Sequence, residues 1–328
     1  MSAIAAPSNR KSILIATDFS SASEKALRHS LALASFYQAK LCLVHVVSSV
    51  GLTIAGPGAI AACEEAVLRK AAELENSLRR SGALNGIEHK FIVRRGELWP
   101  ELREIIRQEN ADLVLVGTHG RHGVGKLLFG SIAEQIFRQA DCPVLTFGPH
   151  SDDRAWFETL TNEGTFLFAT DFGHASVRGL PQAIEAAAQF GTKLAFLSIV
   201  PDALTQEDAD TKTMQRLSQL ADHAALGLRP ELYAEIKSAR PISETILETA
   251  AKLHANLIIM GVHDSALPGV ISHLDLPTTY EVMRHAACPV LTFHRSSGYG
   301  LRRQPAAITR SLWSEADLIH AHGFGAKW

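Results

Sequence analysis

The sequence predicts an α/β protein made of two Rossmann-like, doubly wound units in tandem, each a five-stranded parallel sheet covered by helices on both faces. Three observations carry this reading. First, the chain repeats itself. Ala16-Thr17-Asp18-Phe19 recurs as Ala169-Thr170-Asp171-Phe172, and Leu113-Val114-Leu115-Val116-Gly117 is echoed by Leu257-Ile258-Ile259-Met260-Gly261. Cys142-Pro143-Val144-Leu145-Thr146-Phe147 recurs as Cys288-Pro289-Val290-Leu291-Thr292-Phe293. The blocks keep their order and nearly their spacing, so two homologous domains are expected, residues 10–149 and 163–295, followed by a tail at 296–328. Second, strand-length apolar runs alternate with helix-length amphipathic segments in each copy. Third, the apolar runs are continuous, as strands buried on both faces must be, which indicates a parallel sheet. Right-handed crossovers then favour an open, doubly wound sheet. Five strands per copy are too few for an eight-stranded barrel.

The elements follow in order. Residues 12–17 are a short apolar run rich in β-branched side chains. A helix is expected from Ser21 to Ala39, with Ala26, Leu27, Leu31, Leu33 and Ala34 at helical spacing and Ser20 or Ser21 as cap. A second strand is expected from Leu41 to Val47, an amphipathic helix from Ile60 to Arg80, and a third strand from His89 to Val93. The helix expected from Leu98 to Gln108 tolerates Pro100 in its first turn. Leu113 to Val116, Ser131 to Arg138 and Val144 to Phe147 complete the copy as strand, helix and strand. The second copy places strands near 165–169, 194–199, 231–236, 257–260 and 289–293.

Composition narrows the function. In 328 residues, 32 basic and 34 acidic side chains leave a net charge of −2, which lacks the basic excess of a nucleic-acid binder. No apolar run reaches bilayer-spanning length, so no membrane insertion is expected. Residues 1–11 hold no apolar stretch of signal-peptide length. The four cysteines, Cys42, Cys63, Cys142 and Cys288, form no C-x-x-C pair. They read as small buried side chains of a reduced, cytoplasmic protein.

An open α/β sheet binds ligands where the winding reverses, outside the carboxyl ends of its strands. With strand order 3-2-1-4-5, the first and fourth strands flank that crevice. Asp18 ends the first. Gly117 ends the fourth and opens a glycine-rich segment through Gly120, Gly123, Gly125 and Gly130 to Ser131, where a helix begins. Glycine lets backbone approach a ligand closely, and amide groups at a helix N-terminus suit a phosphate. Arg121 and Lys126 add positive charge. Asp18 repels phosphate and is better suited to ribose hydroxyls or a base N–H. The combination describes a nucleotide. A plain connection with Asp18 and Ser131 as helix caps is the competing reading of the same residues. Gly120-x4-Gly125-Lys126 imitates a P-loop, but Leu127 stands where that loop needs Ser or Thr for Mg²⁺. His119 and His122 are ordinary loop histidines on this reading, and His45 is packing or pocket rim. No nucleophile elbow and no metal-ligating helix pair is present in the sequence, so no catalytic or metal residue is assigned. In the tail, residues 311–321 are compatible with a short helix, and a frayed terminus is the simpler reading.

Gly117-x2-Gly120-x9-Gly130-Ser131, preceded by an apolar strand and followed by Ile132-Ala133, resembles the ATP-binding signature of universal stress proteins. The Ala-Thr-Asp-Phe opening and the Cys-Pro-Val-Leu ending fit the same family, and the resemblance extends to about residue 295 as a tandem form. It implies strand order 3-2-1-4-5 and ATP, alone or with Mg²⁺, at the switch point. Ala16, Thr17 and Asp18 would then contact base and ribose, and Val46 would line the adenine pocket. Val116, Gly117 and Gly120 would border ribose and phosphates, and Gly130, Ser131 and Ile132 would hold the phosphates. Family members pair through their fifth strands, so the resemblance implies an internal pseudo-dimer of the two domains and admits a homodimer of chains. The second copy keeps Asp171 and Gly261, but Asp264 replaces the second glycine and Leu274-Asp275-Leu276-Pro277-Thr278 replaces the phosphate segment. Weak or no ATP binding is expected there. The implied role is a stress-response regulator or sensor with an unidentified protein partner. The alternatives are a slow ATPase or nucleotide transferase using the same pocket, and a ligand-free interaction module.

Overall fold

The computed structural model describes residues 11–48, 57–118, 131–151, 164–201, 211, 213–219, 231–237, 241–262 and 276–294. The chain divides into two compact units. The first runs β1 (Ser12–Ala16), α1 (Ser21–Tyr37), β2 (Lys40–Ser48), α2 (Pro57–Arg80), β3 (His89–Gly96), α3 (Leu98–Gln108), β4 (Leu113–Gly117), α4 (Ser131–Gln139) and β5 (Val144–Phe147). Its strands pair in parallel in the order β3-β2-β1-β4-β5. The second runs β6 (Thr165–Ala169), α5 (His174–Phe190), β7 (Lys193–Pro201), β8 (Glu231–Lys237), α6 (Ile242–Lys252), β9 (Leu257–Val262), α7 (Leu276–His285) and β10 (Val290–His294). It repeats the order as β8-β7-β6-β9-β10. Residues 213–219 are helical between β7 and β8.

Burial explains the continuous apolar runs. Leu14 and Ile15 on β1, and Val114 and Leu115 on β4, are adjacent in sequence, point to opposite faces, and are all fully buried. Phe166, Leu167 and Phe168 on β6 do the same in the second unit. A matching hydrogen bond ties each first strand to the fourth. Asp112 Oδ2 accepts from the Ser12 amide at 2.7 Å, and Asn256 Oδ1 accepts from the Thr165 amide at 2.9 Å.

Helix ends follow local chemistry. Ser20 caps α1, its hydroxyl accepting from the Ser23 amide, and Gln38 closes the helix in the left-handed region at φ 50°. α2 begins at Pro57 rather than Ile60, since proline suits the first helical position. β1 stops at Ala16, so Asp18 lies beyond the strand and not at its end. β3 runs on to Gly96 because its pairing with β2 continues through Ser48. Cys42, Cys142 and Cys288 are buried thiols and Cys63 is half-buried. Among the described residues no helix is long and apolar enough to cross a membrane.

Candidate functional site

In the first unit the chain leaves β1 toward β2 on one side and leaves β4 toward β5 on the other, so the winding reverses between β1 and β4. These two strands pair in register as far as Ile15 and Leu115. Beyond that level each bonds to its outer neighbour. The Thr17 amide donates to the Val44 carbonyl on β2 at 2.9 Å, whereas the Thr118 amide donates to the Phe147 carbonyl on β5 at 3.1 Å. Thr17 and Asp18 thus follow β1, and Gly117 ends β4, on the two sides of the switch point. Ala16 and Val116 are buried there, at 8% and 2% exposure.

The Asp18 turn is tightly specified. Its Oδ1 accepts from the Ser20 amide at 2.9 Å, and the Thr17 hydroxyl accepts from the Phe19 amide at 3.0 Å. These bonds hold Phe19 at φ 59°, a region a phenylalanine enters only when its surroundings impose it. His45 Nδ1–H donates to the Thr17 carbonyl at 2.7 Å, and its ring lies 4.9 Å from that of Phe19. His45 therefore buttresses the turn. Asp18 is not the cap of α1, a role that falls to Ser20, but one of its oxygens does shape the backbone.

The second unit builds the same turn. Asp171 Oδ1 accepts from the Gly173 amide at 2.8 Å, Thr170 Oγ1 from the Phe172 amide at 2.9 Å, and Phe172 has φ 57°. Here the carboxylate also accepts from the Ser176 hydroxyl at 3.0 Å. A small, partly open hollow of about 10 Å³, room for about one water, lies beside this turn. It is lined by Ala169, Thr170 and Asp171, by Leu197 and Ile199 of β7, and by Ile242 and Ile246 of α6.

The repeat transfers this lining to the first unit. Ala169 pairs with Leu197 as Ala16 pairs with Val44, so Ile199 is the counterpart of Val46. α6 and α3 occupy the same place in the two copies, which makes Leu98 and Leu102 the counterparts of Ile242 and Ile246. The helix wall escaped the sequence reading. Its signal is an apolar pair four residues apart opening the third helix of both copies.

The structure thus brings Ala16, Thr17, Asp18, Val116 and Gly117 to the switch point between β1 and β4, with Val46 on the strand beside it. Ser131 and Ile132 open α4, and only their backbone is described. Gly120, Gly130 and the loop side chains Arg121, Lys126, His119 and His122 lie outside the described residues, as do Asp264, Asp275 and the tail.

Comparison with known proteins agrees with the repeat. The model of the universal stress protein family matches residues 9–147 and again 164–294. A universal stress protein of Mycolicibacterium smegmatis is 26% identical over 268 residues, covering 76% of this chain and 86% of that protein. One from Methanocaldococcus jannaschii is 29% identical over 138 residues, covering 41% of this chain and 80% of its own length. Among solved structures, a universal stress protein from Archaeoglobus fulgidus shares the fold with a TM-score of 0.66 at 19% identity, covering 87% of this chain and 98% of that one. Two family matches in tandem, over most of the chain and on the two units described above, establish that this protein belongs to the universal stress protein family, consistent with a role in stress response.

Proposed function

We propose that the chain is a cytoplasmic stress-response regulator or sensor that binds ATP at the switch point of its first unit. The observation that supports this reading is the reversal of winding between β1 and β4, which sets Asp18 and Gly117 on the two sides of the switch point where open α/β sheets take ligands. α4 begins at Ser131, directly after the glycine-rich segment of the fourth connection. Ala16, Thr17, Asp18 and Val46 would hold base and ribose. Val116, Gly117 and Gly120 would border ribose and phosphates, and Gly130, Ser131 and Ile132 would take the phosphates, whose charge favours the amino end of a helix. Mg²⁺ would travel with the nucleotide.

The test is mass spectrometry of nucleotide released from the purified, denatured protein, followed by calorimetry with Mg-ATP. Gly130→Asp places a charge among the phosphate donors and should weaken binding by at least about tenfold. Asp18→Asn keeps an acceptor for the Ser20 amide while removing the charge, so a loss of affinity there reports ligand contact and not a collapsed turn. Absence of binding at millimolar Mg-ATP would refute the reading.

A further inference from the structure

Among the helices of the first unit α2 is the least buried: of its described side chains only Ala71 is buried. Ile60, Cys63, Val67, Leu74 and Leu78 recur with Ala71 at helical spacing on its inner side and are half-buried. Glu64, at the margin of that side, pairs with Arg95 of β3 at 3.2 Å. The opposite face is open to solvent. Leu68 stands on it at 55% exposure, the most exposed large apolar side chain among the described residues. Ala61 and Ala72 lie exposed on the same face.

One exposed leucine is ordinary. Leu68 is set apart by where it lies and by the charges around it. It sits at the midpoint of a helix of 24 residues, about 36 Å long. In the half before it the charged side chains are Glu64 and Glu65; in the half after it Arg69, Lys70, Arg79 and Arg80 outnumber Glu73 and Glu75. α2 is thus negative toward its amino end and positive toward its carboxyl end. This suits its own dipole, and it also makes the helix complementary to a reversed copy of itself. An antiparallel copy lays each acidic half on a basic half, whereas a parallel copy sets like charge on like. A two-fold axis at Leu68 brings the two leucines together and makes every contact reciprocal. At about 100° per residue, Glu65 and Arg69 lie on the same flank of Leu68. The axis carries Arg69 of each copy to within about 3 Å, measured along the helix, of Glu65 of the other.

We propose that the outer face of α2 is a self-association surface, on which a second copy of this chain docks antiparallel with Leu68 at the centre and Glu65 and Arg69 setting the register. One helix pair buries less than the roughly 1,200 Å² of a standard interface, so the dimer is weak, and its exposed ion pairs make it sensitive to salt. No residue of the switch point takes part, so the proposal stands whether or not the first unit binds ATP.

Sedimentation equilibrium of the full chain between about 10 µM and about 1 mM tests it. In roughly 50 mM salt the parent should associate reversibly to a dimer, and roughly 500 mM salt should weaken this at least about fivefold. Leu68→Glu should weaken it at least about tenfold. Glu65→Arg and Arg69→Glu should each weaken it about fivefold, since two symmetric pairs are reversed at once, and the two together should restore the parent's affinity to within about twofold. All three side chains are exposed, and thermal melts confirm that the variants fold. Under mild copper-catalysed oxidation Leu68→Cys should form a covalent dimer beyond the parent's level, whereas Gly58→Cys, about 30 Å from its own copy in this arrangement, should not. A parent that stays monomeric at about 1 mM, a dimer indifferent to Leu68→Glu, or a double charge exchange no tighter than its single parts would overturn the proposal. So would equal cross-linking through Gly58→Cys.

Discussion

Gly261→Ala is the substitution that best tests how the switch point is built. Gly261 lies on β9 where α5 crosses the sheet. A Cβ at this position would sit 2.2 Å from the Ser176 amide nitrogen, 2.6 Å from its hydroxyl and 2.7 Å from the Ala175 carbonyl carbon. Two of those three atoms are backbone, so no rotamer change relieves the clash. The first turn of α5 must retreat by roughly 1 Å to restore van der Waals separation. That retreat also pulls the Ser176 hydroxyl from Asp171, where it donates at 3.0 Å. Overpacking of this kind costs about 3 kcal/mol, the upper part of the usual range, because the obstacle is backbone. For a unit of this size the melting temperature of the second unit should fall by about 10 °C. Differential scanning calorimetry is the assay, because two units need not unfold in one transition. Gly58→Ala is the control. Gly58 lies in α2 with nothing within 4 Å of its would-be Cβ, so alanine there should raise stability by up to about 1 kcal/mol. A Gly261→Ala protein melting within about 2 °C of the parent would refute the close approach of α5 to β9.

Glu109 follows α3 and bonds to Lys40 and Lys90, with a side chain only 8% exposed. Burial alone would raise its pKa, but the hydrogen bonds from the two lysines outweigh this and hold it below its ordinary value of 4.5. The hydrogen bond to Glu109 in turn raises Lys40 above 10.5. The carboxylate's contribution is therefore present above 4.5 and lost as pH falls through the depressed folded value; the lysine's is present below 10.5 and lost as pH rises through the elevated one. Urea titrations of the parent should weaken on both sides of that window, and Glu109→Gln should flatten the acid limb; an unchanged acid limb would refute the assignment. Thiol chemistry should also discriminate. Burial pushes Cys42 up to about 11 and Cys288 up to about 12, so neither is thiolate near neutrality. Peptide mapping after brief iodoacetamide treatment at pH 8 should find label on half-buried Cys63 before either of them, and early label on Cys42 would contradict its packing.

The strand order was legible because it follows from rules of connection once the strands are found, and those announced themselves as continuous apolar runs. The repeat doubled the signal, since each doubtful run in one copy had a clearer partner in the other. The strand ends were less legible. β3 and β7 extend past their apolar stretches because backbone pairing with a neighbour, which leaves no mark on side-chain pattern, decides where a strand stops. The switch point was placed by Asp18 and Gly117, but the helical wall beside its second copy, at Ile242 and Ile246, was not. An isoleucine pair on a helix looks the same whether it faces core or cavity.

The two copies also separate what holds the fold from what could hold a ligand. Asp18 and Asp171 build the same turn, with the same threonine partner and the same left-handed phenylalanine, although the second copy has lost the glycine-serine phosphate segment. An aspartate kept under those conditions has a structural reason to stay, so its presence alone argues weakly for a nucleotide. Gly261 is retained on the same terms, since the close approach of α5 demands a residue without a side chain. The informative positions are those where the copies part, Gly130-Ser131 against Asp275-Leu276. If Asp18→Asn and Asp171→Asn destabilise their units alike while only the first changes Mg-ATP affinity, the shared turn is scaffold and the difference in ligand lies in what surrounds it. Equal loss of nucleotide affinity from both substitutions would mean instead that the second unit still binds ATP, and the divergence of its phosphate segment would no longer explain a difference in function.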